Sequence, residues 1–119
     1  MPHVILEVSA NIHETNLTPL LVEIHSILTE MLPTQLSGCK SRIIRDEDYV
    51  IGNNDPQNAF VHLTVKVLKG RSKTLLDTVA SSIMEKLKLA FQESYNALNL
   101  QYTIAIEELP EVYHKFSKD

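Results

Sequence analysis

Residues 2–8 carry an apolar side chain at every second position. Alternation with period two and a high content of β-branched residues is typical of a half-buried strand, so a first strand is predicted there. The same alternation recurs at residues 59–68 and 100–106, and a further strand is predicted around residues 40–45. Four strands are therefore predicted in total.

Two other segments have helical spacing. Apolar residues recur every three or four positions through residues 20–32 and again through residues 75–87, which predicts two helices with one buried face each. Thr18 is the predicted N-cap of the first helix, with Pro19 at its first helical position. Ser72 is the predicted N-cap of the second helix.

The order of these elements is β-α-β followed by β-α-β, in repeated halves at about 2–50 and 59–108, joined by a polar loop. A strand joined to the next by a helix is normally parallel to it, with a right-handed crossover. We therefore predict a single α+β domain over residues 1–119, with a four-stranded mixed sheet and both helices on one face. The second sheet face is expected to expose apolar side chains, which favours a symmetric oligomer.

Composition excludes some classes of function. The 119 residues carry a net charge of −4, which argues against nucleic acid as a partner. No apolar run reaches the length of a membrane span and no basic leader precedes an apolar stretch, so we expect a cytoplasmic protein without a membrane partner. Cys39 is the one cysteine, and the five histidines show no ligand spacing, so neither a disulfide nor a metal site is predicted.

Pro2 is the first candidate for chemistry. Removal of Met1 would leave Pro2 with a secondary amine at the start of a strand. An α-amine titrates near about 8, and burial lowers that value toward neutrality, which suits a general base. Alternatively, proline is simply a common second residue that fits the first position of a strand.

Basic residues near strand ends are the next candidates. Arg71 lies between Gly70, which ends a strand, and the cap Ser72, where guanidinium and helix N–H groups could clamp a carboxylate. Lys40 and Arg42 are two apart and share one strand face. The alternatives are a solvated arginine before an ordinary cap, and edge-strand charges that discourage aggregation.

Several separated blocks agree, in order, with one known family. They are Met1-Pro2-His3, residues 59–66, Gly70-Arg71-Ser72 and residues 106–109. Together they resemble the 5-carboxymethyl-2-hydroxymuconate isomerase family of the tautomerase superfamily, which also contains 4-oxalocrotonate tautomerase and macrophage migration inhibitory factor. The resemblance spans nearly the whole chain.

The resemblance implies a homotrimer that needs no cofactor and transfers a proton through its N-terminal proline, in the degradation of aromatic compounds. Pro2 would then be catalytic, and the substrate would be a di- or tricarboxylate enol. By position, the substrate would be bound by Arg71, by Arg42 or Lys40, and by Phe60 as an apolar wall. The chain departs from the family at residues 45–58, which leaves two alternatives open: a tautomerase of another enol acid, and a non-catalytic trimeric binding protein.

Overall fold

The computed structural model describes residues 1–118. Its elements, in chain order, are β1 (His3–Ser9), α1 (Thr18–Met31), a short 3-10 helix (Leu36–Gly38), β2 (Lys40–Asp46), β3 (Asn58–Val67), α2 (Lys73–Ala90), α3 (Gln92–Ala97) and β4 (Asn99–Glu108). The two β-α-β units predicted from the sequence are therefore confirmed.

The four strands form one mixed sheet in the order β2-β1-β3-β4. Within each unit the two strands are parallel, whereas the central strands β1 and β3 are antiparallel, with Leu6 opposite Leu63. This antiparallel pairing brings the start of β1 next to the end of β3. Residues far apart in sequence, at 1–3 and 67–71, therefore meet at one end of the sheet.

Helices α1 and α2 cover one face of the sheet, because the apolar side of each strand turns toward them. Every second residue of β3 is buried, and Ile24 and Leu28 of α1 are completely buried, as are Val79 and Ile83 of α2. These side chains belong to one hydrophobic core. The position of both helices on one face of the sheet agrees with the prediction from the sequence pattern.

Two helix predictions differ from the structure. The N-cap of α1 is Leu17, not Thr18, and Pro19 stands at the second helical position. Leu17 is almost completely buried and its carbonyl accepts the N–H of Leu21 at 3.2 Å, so an apolar anchor sets the start of this helix instead of a polar cap. Ser72 is confirmed as the N-cap of α2, since its Oγ accepts the N–H of Leu75 at 3.1 Å.

The second sheet face is more polar than expected. It carries side chains from alternate positions of each strand, which in β1 are His3, Ile5 and Glu7, all partly buried. Alternation places these residues opposite the core positions whether or not they are apolar.

None of the helices in residues 1–118 is long and apolar enough to span a membrane. The cytoplasmic location stays a prediction from the sequence.

Candidate active site

A small pocket of about 180 Å³ lies at the end of the sheet where β1 begins. Its walls come from the chain start, the segment between α1 and β2, the end of β3, the α2 entry and the last residues of the chain. The lining residues are Met1, Pro33, Thr34, Gln35, Gly38, Leu68, Arg71 and Lys115. The α-amine is thus at a pocket built from both repeats.

The Met1 amine is held by specific neighbours. Its nitrogen donates a hydrogen bond to Oγ1 of Thr34, at 3.0 Å. A Cβ atom added to buried Gly38 would lie 3.6 Å from that nitrogen and 3.8 Å from the Met1 sulfur, so Gly38 forms a close wall. A residue with a long side chain at Gly38 would fill the space beside the amine.

The pKa of the Met1 amine is lowered from its ordinary value, chiefly because partial burial disfavours its charged form. The positive charges of Arg71, Lys115 and Lys40 lower this pKa further, while Cys39 acts in the opposite direction. An amine in this setting loses its proton at a lower pH than a solvated one. The environment favours a free base.

Pro2 is buried beneath this amine. Its carbonyl accepts the N–H of Lys40 at 3.1 Å, which continues the parallel pairing of β1 and β2 to the chain start. Because Met1 is present, the Pro2 nitrogen is an amide and has no basicity. Loss of Met1 would make it the terminal amine.

Arg71 reaches the same pocket from the loop between β3 and α2. Gly70 has φ of 114°, a conformation that favours glycine, and this turn precedes the Ser72 cap. The guanidinium Nη1 of Arg71 donates to the carbonyl of Leu68 at 2.9 Å, which fixes part of the side chain. The structure therefore brings Arg71 to the α-amine.

Lys40 and Arg42 lie on the open sheet face, on edge strand β2. Arg42 Nη1 lies 3.4 Å from Nδ1 of His3, and neither basic residue is among those that line the pocket within the described part of the chain. The charge of Lys40 nevertheless acts on the amine. The roles of Lys40 and Arg42 in substrate binding stay predictions.

Phe60 is not brought to this pocket within one protomer. It lies beside Ser9, whose Oγ accepts the Phe60 N–H at 2.9 Å, and its ring meets Tyr49 edge to face. Ser9 is at the opposite end of β1 from Pro2, about 20 Å away at the usual rise per residue. A role for Phe60 in substrate binding would need a neighbouring subunit.

Thr34 and Lys115 line the pocket but lie in no sequence pattern that predicts a role in the site. Lys115 lines the pocket, and the hydroxyl of Tyr113 lies 2.7 Å from Nε2 of His3. These residues lie in irregular segments, where periodicity gives no signal.

Larger cavities exist elsewhere, of about 510 and 560 Å³. The first is lined by Lys88, Gln92, Tyr95, Asn96 and Tyr102, and the second by Asn11 together with polar and apolar residues of the loop between the repeats. Neither is lined by the terminal amine or Arg71, so the smaller pocket is the candidate active site. In residues 1–118 no group of three or more His, Cys, Asp or Glu could hold a metal ion.

A family model and a relative found by sequence comparison indicate the same family of isomerases. The family model for 5-carboxymethyl-2-hydroxymuconate isomerase matches residues 2–118. The 5-carboxymethyl-2-hydroxymuconate Delta-isomerase of Escherichia coli is 29% identical over 110 residues, which are 92% of this chain and 87% of that protein.

Solved structures share the fold. The structure of a 5-carboxymethyl-2-hydroxymuconate isomerase from Deinococcus radiodurans R1 has a TM-score of 0.88 at 24% identity, and the match covers 99% of this chain and 90% of that one. A fused 4-OT symmetric trimer has a TM-score of 0.75 at 10% identity, with 98% and 92% covered.

Proposed function

Because this chain belongs to the 5-carboxymethyl-2-hydroxymuconate isomerase family and is an isomerase, we propose that it converts a carboxylated dienol to a keto acid, using Pro2 as general base and acid after removal of Met1. We expect the substrate to be 5-carboxymethyl-2-hydroxymuconate, in the degradation of aromatic compounds such as homoprotocatechuate. No cofactor takes part in the proposed reaction.

One observation carries this proposal: the α-amine lies in a pocket with Arg71, where burial and nearby cations lower its pKa. A secondary amine at Pro2, one residue further along the chain, would lie near the same cations and at a residue that is itself buried. A lowered pKa increases the fraction of the amine that is unprotonated and able to accept a proton.

In the proposed reaction the Pro2 nitrogen takes the proton of the 2-hydroxyl group and delivers a proton to a carbon of the conjugated chain. The double bonds shift, and the 2-hydroxyl becomes the carbonyl of an α-keto acid. The amine ends as it began, so atoms and charge balance without a co-reactant. General acid–base catalysis of this kind supplies roughly 10²–10⁴-fold, and orientation adds more.

Arg71 is the proposed clamp for a substrate carboxylate. Its guanidinium uses one N–H on Leu68 and retains other donors, which suit a planar carboxylate. Lys40, Arg42 and Phe60 remain proposed binding residues. For all three the proposal requires assembly, because none of them lines the pocket of its own protomer.

Assembly as a homotrimer is the second part of the proposal. A relative of the same fold is a symmetric trimer. The chain also has an uncovered sheet face and two edge strands, β2 and β4, which have unpaired backbone groups. Light scattering after size exclusion measures the mass directly, and a monomeric mass at micromolar concentration would contradict the trimer.

The test is the ultraviolet-monitored ketonisation of 5-carboxymethyl-2-hydroxymuconate by protein whose mass shows that Met1 is absent. Protein that retains Met1 is the matched control. Turnover only in the processed protein would support the proposal. If processed protein gave no rate above buffer with this substrate but turned over a monoacid enol, the substrate assignment would be wrong; no rate with either enol would leave only a binding role.

A further inference from the structure

The C-terminal segment, residues 109–118, lies along the end of the sheet and reaches the pocket. It leaves β4 through Leu109, whose buried side chain joins the protein body and whose N–H donates to the Val67 carbonyl at 2.7 Å. Further along the segment, Oε1 of Glu111 lies 3.7 Å from Nζ of Lys69. The segment is therefore anchored beside the end of β3.

Alternate residues of this segment face the protein. Tyr113 contacts His3 and Lys115 lines the pocket, whereas Val112 and Phe116 are 83% and 97% exposed. The contact between Tyr113 and His3 holds this part of the segment at the end of the sheet, and Lys115, two residues further on, lines the pocket.

The pocket has an excess of positive charge in an acidic protein. Among the described residues, those that line it include Arg71 and Lys115 but no aspartate or glutamate, although the chain carries a net charge of −4. A few cations that converge in a pocket can override the global sign. This local charge fits a ligand with more than one carboxylate.

We propose that Lys115 is a second substrate-binding cation, which holds one carboxylate of a polyacid enol while Arg71 holds another. Lys115 thereby selects polyacids over monoacids. The inference rests on the proposed function, because it concerns the ligand of that pocket. It adds a specificity residue from a segment that sequence patterns leave unassigned.

Tyr113 is the positioning residue for Lys115. Arg42 can only donate, so its contact with Nδ1 of His3 requires that nitrogen to accept, and the proton of neutral His3 is then on Nε2. Nε2–H therefore donates to the Tyr113 hydroxyl at 2.7 Å. A lowered pKa of His3, caused by burial first and then by Arg42 and Lys40, agrees with the neutral ring.

The binding test compares two probes with the same six-carbon diene skeleton: muconate, a dicarboxylate, and sorbate, a monocarboxylate. Calorimetry with processed wild-type protein should show tighter binding of muconate. Lys115→Ala should weaken muconate binding by about fivefold, the size expected for a solvent-exposed ion contact, and should leave sorbate binding within about twofold. Lys115→Arg should restore the preference, and Lys118→Ala, outside the pocket, is the matched control.

Equal binding of muconate and sorbate by the wild type, or equal loss of both in Lys115→Ala, would overturn the inference. Thermal unfolding of each variant shows whether it is folded. Tyr113→Phe keeps the ring but removes the hydroxyl, and it should raise KM for the polyacid enol with kcat on a monoacid enol unchanged. Loss of kcat on both substrates would instead indicate a structural role.

The experiments distinguish a failure of the proposed reaction from a failure of the inference about Lys115. A wild type without turnover that still prefers muconate through Lys115 would overturn the proposed reaction and leave the binding inference standing. Normal turnover of the polyacid by Lys115→Ala, with KM unchanged, would overturn the inference and leave the reaction standing.

Discussion

Nε2 of His3 and the hydroxyl of Tyr113 are 2.7 Å apart, although 110 residues separate them in sequence. The contact ties the C-terminal segment to the strand that carries the chain start. Their rings also meet edge to face, at 6.2 Å between centroids. The pocket is consequently bounded by both ends of the described chain.

Replacement of Arg71 by alanine should reduce kcat/KM for the dicarboxylate enol by about 10- to 100-fold. A hydrogen bond to a charged group is worth about 1.5–3 kcal/mol, and Arg71 is half-buried at the pocket. Steady-state kinetics measure the loss. Lys73→Ala is a suitable control, because Lys73 is exposed and nearby in sequence but does not line the pocket; unchanged kinetics in Arg71→Ala would remove that residue from the site.

The pH dependence should follow the terminal amine. A base must be unprotonated to act, so kcat/KM should rise with pH and level off above the pKa of the amine, below its ordinary value of about 8. Because cations lower this pKa, Arg71→Ala should move the inflection to higher pH. The pH–rate profile and an NMR titration of 15N-labelled Pro2 should agree, whereas an inflection unaffected by the substitution would contradict the electrostatic role of Arg71.

Pro2→Gly should retain a small part of the activity, because glycine at the chain start still offers a primary amine. The loss has two causes: a less basic and less constrained nitrogen, and the lost packing of a buried ring. Acetylation of the α-amine in otherwise unchanged protein should abolish turnover entirely. Equal activity of acetylated and free protein would show that the base is another group.

Phe91→Ala should destabilise the fold by about 3–5 kcal/mol, the range for truncating a buried aromatic residue. Phe91 is completely buried between α2 and α3, with its ring 6.4 Å from that of Tyr102. Leu89→Ala is the matched control, since Leu89 is 67% exposed and should change the free energy of unfolding by no more than about 0.5 kcal/mol. Urea unfolding at one fixed protein concentration measures both.

Glu7 should make stability depend on pH. Its pKa is raised, first by a hydrogen bond with Asp46, then by burial and by the Asp46 charge. A carboxyl whose folded pKa exceeds its unfolded value of about 4.3 binds its proton more tightly in the folded state, so its contribution is present at low pH and lost as pH rises through the folded pKa.

Glu7→Gln keeps a hydrogen-bond donor toward Asp46 without the charge. It should match the wild type near pH 4 and become the more stable of the two toward pH 7, with Glu47→Gln on the exposed loop as control. A constant difference across this range, measured by urea unfolding, would contradict the coupling.

Much of the fold could be predicted from the sequence, because the strands and the two long helices have strong periodicity. The start of α1 was placed wrongly because Leu17 carries no polar side chain and caps by burial. The six-residue helix α3 was not predicted because so short a segment shows less than two turns of pattern.

Site residues that belong to a sequence motif could be predicted. Site residues that only the tertiary structure brings together could not. Gly70-Arg71-Ser72 has a turn and a cap of its own, so its position was indicated. Lys115 has no motif, and it enters the pocket only because Leu109 and Tyr113 anchor the residues before it. Phe60 was grouped with Pro2 by family position, although one protomer holds Pro2 at the start of β1 and Phe60, in β3, beside the end of β1.

Because Met1 and Lys115 both line one pocket, the position chosen for a label determines whether that pocket is disturbed. A tag joined before Pro2 would turn the amine into a peptide bond, and bulk attached at Lys115 would crowd the same pocket. The turn at Gly52 and Asn54, both with positive φ, is exposed and lies at the far end of the sheet. An affinity peptide or a fluorophore inserted there would leave both chain ends native.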